Sequence, residues 1–227
     1  MRIETRIVAP TAAPSGTVLV AHDGPEYERA AGLTQLFPAE HVVLLDPGER
    51  HEWYSANPAY ADALVRRVLP SLPPGPRVGL GASLGALALL HAELRHPGAF
   101  AGLFLQSGSF FTPQLDPQEA GFRRYRRIVR FVESVSGVDA RVVLTCGRDE
   151  ENLHNNRAMA QRLGAPLVEV PGGHAMTTWR AALDPHLHRL LREVTVGPPH
   201  RTAARHGAGL APGLRDADRP AGPDPRP

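Results

Sequence analysis

The chain has 227 residues, 42% of them hydrophobic, and a formal net charge of +2. That length can bury one full core, and the charge is local, because five arginines and three aspartates from Gly197 onward leave 20 basic and 20 acidic residues before them. A body without net charge has no global field to hold a nucleic acid, no apolar run approaches the ~18 residues of a membrane span, and the lone Cys146 allows no intrachain disulfide.

The start, Met-Arg-Ile-Glu-Thr-Arg, carries no apolar run of the signal-peptide kind. The expectation is a soluble, cytoplasmic protein with no nucleic-acid or membrane partner. All basic residues are arginine, and with 23 prolines and 22 glycines this reads as compositional bias, so arginine content alone carries no argument.

Thr17-Val-Leu-Val-Ala-His22 is short, apolar and β-branched, which predicts a buried strand. An Asp23-Gly24-Pro25 turn signal follows it. Val42–Leu45 is a second strand. Asn57-Pro58 starts a helix, with Asn as N-cap and Pro at the first helical position. Ala61, Leu64, Val65 and Val68 continue it, and Pro70 stops it. Arg77–Gly81 is a strand that runs into Ser83, and Leu84–Arg95 is an apolar helix ended by His96-Pro97. Strands over Gly102–Gln106, Arg141–Cys146 and Pro166–Val170 alternate with helices over Phe122–Val135, His154–Leu163 and Thr178–Val194. Apolar strands alternating with helices give an α/β class, a mostly parallel sheet with helices on both faces, and function at the carboxyl ends of its strands. Residues 1–196 form the domain. The Pro/Gly/Arg-rich stretch 197–227 buries too little apolar surface to order and is expected to be a disordered tail.

Acyl transfer at a serine needs an exposed hydroxyl, a base and donors for the oxyanion. Gly81-Ala-Ser83-Leu-Gly85, between an apolar strand and an apolar helix, supplies the first. The base should lie on a late loop, after the acid in chain order. His174 in Pro171-Gly-Gly-His174 follows the last predicted strand and fits that place. The acid should follow the Arg141–Cys146 strand, where Asp149, Glu150 and Glu151 compete and spacing does not separate them. Leu84 N–H should supply one oxyanion donor and the Asp23-Gly24 loop another.

These stretches resemble the esterase D and enterochelin-esterase-like esterases, which include feruloyl esterases and antigen 85 mycolyltransferases, within the α/β-hydrolase superfamily. The likeness rests on Val18–Gly24, Gly79–Gly85, Phe104–Phe110, Gly147–Leu153 with Asn156-Arg157, and Gly172–Arg180. It implies Ser83 as nucleophile, His174 as base and Glu150 in preference to Asp149 as the acid, with loss of Glu150 milder than loss of His174. Leu84 is the first oxyanion donor, Gly24, Glu26 or another group the second, and Asp23, Trp53 and Trp179 are candidates for substrate contact. The substrate would be a small-molecule ester, with no cofactor and no metal. Two features depart from the family. Pro25 stands where the mycolyltransferase-like members have a donor N–H, and proline has none. With only 16 residues before the first core strand, the separate N-terminal domain of the enterochelin esterases is not expected here. Acyl transfer to a sugar or alcohol, and a non-catalytic binding protein on the same fold, stay open beside hydrolysis.

Overall fold

The computed structural model describes residues 2–46 and 48–196. The tail expected over 197–227 lies outside the described residues. The strands are β1 (Glu4–Val8), β2 (Val18–His22), β3 (His41–Asp46), β4 (Arg77–Ala82), β5 (Gly102–Gln106), β6 (Arg141–Gly147) and β7 (Leu167–Val170). They form one sheet in the order β1-β3-β2-β4-β5-β6-β7. All neighbours pair in parallel except β1, which lies antiparallel on β3 with Glu4 opposite Asp46.

The helices are α1 (Gly24–Ala31), α2 (Leu33–Leu36), α3 (Arg50–Trp53), α4 (Pro58–Ala63), α5 (Leu84–Arg95), α6 (Tyr125–Ser134), α7 (Leu153–Leu163), α8 (Met176–Ala182) and α9 (His188–Val196). Strand alternation sends Val18, Val20, Leu103 and Leu105 to one face, where they pack with residues of α4 to α7. Leu19, Ala21, Val78, Leu80 and Phe104 pack on the other face with residues of α1 and α9. The strands are buried on both faces, which is why they read as unbroken apolar runs.

In β4 the residues facing α5 are glycines. A Cβ at Gly81 would lie 2.7 Å from the backbone carbon of Gly85, and one at Gly79 would lie 2.7 Å from Leu89 Cδ2. Bare backbone there lets α5 come down onto the strand immediately after Ser83, so the glycine spacing of the sequence sets the turn.

Three features differ from the sequence reading. β1 is exposed along nearly its whole length and carries no apolar run, so nothing in its composition announces it. The stretch read as an Asp-Gly-Pro turn is the start of α1, with Pro25 in the first helical turn, where the missing N–H breaks no helical bond. The closing helix is interrupted: Asp184 takes extended angles (φ −108°, ψ 125°) because the residue before a proline is pushed out of the helical region. Among the described residues no helix is long and apolar enough to cross a membrane.

Candidate active site

Ser83 leaves β4 with φ 56° and ψ −122°, a combination that L-residues hold only where surrounding structure imposes it. Its N–H donates to Gln106 O (2.9 Å) and its carbonyl accepts from Leu87 N–H (3.3 Å), so the turn is tied to β5 on one side and α5 on the other. The hydroxyl shares a hydrogen bond with Ser109 Oγ at 3.1 Å. Leu84, the residue after it, opens α5, and its N–H belongs to the first helical turn, which has no intrahelical acceptors. Ser83, Leu84, Ser109, Glu150 and His174 all line one cavity of about 420 Å³ at the carboxyl ends of the strands.

The loop after β6 brings Glu150 against His174: Nδ1 lies 2.8 Å from Oε2. An ionised carboxylate only accepts, so Nδ1–H donates and Nε2 is left as the acceptor. The other carboxylate oxygen accepts from Ser107 Oγ (2.6 Å) and Gly147 N–H (2.7 Å). Burial pushes the Glu150 carboxyl up, but the bonds from His174, Ser107 and Gly147 outweigh it and hold the group below its usual range. Its side chain is fully buried, whereas the His174 ring is 44% exposed. Asp149 is exposed and uses its backbone N–H to hold Gly172 O (3.1 Å), so the loops after β6 and β7 are stitched together. Of the three carboxylates that spacing left level, geometry singles out Glu150. No hydrogen bond joins His174 to Ser83 among the described residues.

The remaining expectations fall out differently. Trp179 is beside His174, edge to face at 5.1 Å, but its Nε1–H donates to Ser107 Oγ (2.9 Å), so it braces the Glu150 pair and is not part of the cavity wall. Trp53 packs against the apolar core and does not line the cavity; Phe111 and Phe122 supply its aromatic surface. Gly24 is buried against β3, where a Cβ would come 2.4 Å from Leu44 Cα. Asp23 adopts a left-handed conformation (φ 50°) and turns its carboxylate to Arg50, whose Nε donates at 2.9 and 3.0 Å.

Several members of this cluster had no sequence signal. Arg50 opens α3, the short helix that follows β3. Burial works against its charge, but Asp23 more than offsets this and raises its pKa. Under the Asp23–Arg50 pair lies an aromatic cluster. His22 Nδ1–H donates to Gly85 O (3.0 Å) and Nε2 accepts from Tyr60 Oη (2.9 Å), with the ring stacked on Tyr54 at 4.6 Å. Burial and the Arg50 charge drive its pKa down to about 4 against the help of the Gly85 bond, so it stands neutral. Asn152 and Asn156 hold the Ser107-Gly108-Ser109 loop through Ser107 O (2.8 Å) and both backbone groups of Gly108 (2.9 Å each). In the basic α6 segment, Arg124 and Arg127 are turned inward to Glu52.

A family model described as "Putative esterase" matches residues 10–190. No curated protein matches the chain. Among solved structures, the enterobactin esterase FES from Shigella flexneri, crystallised with 2,3-dihydroxy-N-benzoyl-glycine, is similar at 23% identity and a TM-score of 0.65, covering 84% of this chain and 54% of that one. A ferulic acid esterase is similar at 17% identity and a TM-score of 0.63, over 84% of this chain and 98% of its own. S-formylglutathione hydrolase FrmB from Staphylococcus aureus follows at 16% and 0.58, over 84% and 92%. The chain spans about half the length of the enterobactin esterases it resembles. Since that family match runs over well more than half of the chain, this chain belongs to that esterase family and has the α/β-hydrolase fold.

Proposed function

We propose that the chain is a serine hydrolase of small-molecule carboxylic esters that works through an acyl-enzyme. Ser83 Oγ attacks the ester carbon while His174 Nε2 takes its proton. Glu150 fixes the Nδ1–H tautomer and stabilises the imidazolium that forms. Leu84 N–H donates to the oxyanion. His174 then protonates the leaving alkoxide, and water enters by the same route to free the acid. The observation that carries this reading is the buried Glu150 bound to His174 at 2.8 Å beside a serine held at positive φ in the same cavity. In the unliganded site the Ser83 hydroxyl rests on Ser109, and the bond to His174 forms when substrate enters; catalytic hydrogen bonds are commonly loose before that.

A cavity of about 420 Å³ suits a small ligand. Phe111 and Phe122 on its wall offer apolar contact to the acyl group. A free, buried Cys146 suits a reducing compartment such as the cytoplasm. The test is turnover of p-nitrophenyl acetate by wild type, Ser83→Ala and His174→Ala. Both variants should stay folded and lose activity to background; activity retained in purified S83A would remove Ser83 from the mechanism.

A further inference from the structure

Two donors normally hold the oxyanion, one from the residue after the nucleophile and one from the loop after the strand that here is β2. Most of the backbone donors of that loop are committed elsewhere or missing. Asp23 N–H donates to Tyr54 Oη (3.2 Å). Pro25 has no N–H. Glu26 and Tyr27 N–H both donate to Asp23 O, at 3.0 and 3.1 Å. Gly24 is pressed against Leu44 and does not line the cavity.

A different group occupies this side of Ser83. The Arg50 guanidinium lines the cavity with Ser83 and Leu84. Nε is clamped by both Asp23 oxygens, and Nη2 donates to Ala82 O (3.3 Å), the carbonyl immediately before Ser83. Its Cζ lies over the Tyr54 ring, 5.5 Å from the centroid. The guanidinium is therefore held between the loop after β2 and the residue that precedes Ser83. Guanidinium carries five N–H donors in a rigid fork, and its Nη1 has no acceptor among the described residues.

We propose that Arg50 is a catalytic residue, the second oxyanion donor, standing in for the backbone N–H that Pro25 lacks. This rests on the serine-hydrolase reading above. As the Ser83 Oγ–carbon bond forms, the carbonyl π pair moves onto oxygen and the Ser83 proton passes to His174. The new oxyanion accepts N–H from Leu84 and Arg50, with no proton transferred from either. When the pair returns, the bond to the leaving alkoxide breaks and His174 protonates it. A charged donor held by Asp23 and Tyr54 needs no rearrangement as the charge develops, which is where such donors act most strongly. The buried His22–Tyr60–Tyr54 cluster then has a role, since Tyr54 holds both the Asp23 N–H and the guanidinium.

The test compares wild type with Arg50→Lys on p-nitrophenyl acetate, a neutral substrate. R50K keeps the charge and a partner for Asp23 but loses the fork. The expected result is a fall in kcat of about 10²–10³-fold, with KM within about threefold and a matching loss of affinity for a boronic-acid transition-state analogue. Arg50→Gln should behave alike and replaces R50K if that variant does not fold. Full kcat in folded R50K or R50Q, or a loss confined to KM, overturns the role of Arg50. A wild type that hydrolyses no ester and takes no fluorophosphonate at Ser83 is a separate result, and it overturns the serine-hydrolase reading first.

Discussion

Replacing Glu150 by Gln changes one atom pair and should silence the site through a tautomer. Glu150 Oε1 faces two donors, Gly147 N–H at 2.7 Å and Ser107 O–H at 2.6 Å. The Ser107 hydroxyl is committed as a donor there because its oxygen accepts Trp179 Nε1–H. An amide NH₂ cannot sit against two donors in a side chain that is fully buried, so the Gln oxygen takes that position. Its NH₂ then takes the place of Oε2, 2.8 Å from His174 Nδ1. Two donors would face each other unless the imidazole moves its proton to Nε2, and Nε2 then has no lone pair for Ser83. A base held in the wrong tautomer costs about 10⁴-fold in kcat, roughly 5.5 kcal/mol of barrier. Folding should lose only about 1–2 kcal/mol, the difference between charged and neutral hydrogen bonds, so the variant stays folded. Steady-state kcat with p-nitrophenyl acetate, checked by thermal melting, measures both. Glu150→Ala leaves the tautomer free and should be the milder lesion. Asp149→Asn, at an exposed position, should stay within about twofold of wild type. A folded E150Q within tenfold of wild-type kcat would refute the tautomer argument.

The neighbouring parts answer to simpler changes. Trp179→Phe removes one hydrogen bond behind Glu150 and should lower kcat about two- to tenfold with KM unchanged; a loss in KM instead would make Trp179 a substrate contact after all. Gly24→Ala would put a Cβ 2.4 Å from Leu44 Cα, so its urea midpoint should fall by the equivalent of about 1–3 kcal/mol, and an unchanged midpoint would mean that β3 yields at that point. Acid should weaken the fold in a defined window. His22 and His91 are each lowered from 6.5 to about 4, chiefly by burial, so the unfolded chain binds the extra protons. Stability is therefore full above about pH 6.5 and falls as pH drops towards 4, by at most about 3 kcal/mol for fully buried His22. Glu150, with a depressed pKa, adds stability above its unfolded value of 4.5, which is lost only below that point. Equal urea midpoints at pH 7 and pH 5 would contradict a neutral, buried His22.

The strand-turn-helix at the centre of the candidate site was legible because it is written in local chemistry. β4, the Ser83 turn and α5 follow from glycines and an apolar helix, and α5 spans Leu84–Arg95 as the apolar run stopped by His96-Pro97 predicts. The acidic loop and His174 follow because each comes right after a strand, whereas Glu150 over Asp149 came only with the family resemblance. What stayed hidden depends on long-range packing. β1 is an exposed edge whose pairing exists only once β3 is in place. α1 hides behind a turn signal, since Asp-Gly-Pro serves a helix start as well as a loop. Arg50 is one of many arginines, and nothing local says that it will meet Asp23 across 27 residues. Trp53 and Tyr54 are adjacent and aromatic, yet one packs at the edge of the core and the other lies fully buried under Asp23.

The most direct measurement on the nucleophile is a fluorophosphonate adduct mapped by peptide mass spectrometry. Wild type should gain one adduct, on the peptide that carries Ser83; Ser83→Ala should gain none, and His174→Ala should label far more slowly. A wild type left unlabelled at Ser83 under conditions that label a control serine hydrolase, or labelled at another residue, would contradict Ser83 as the nucleophile.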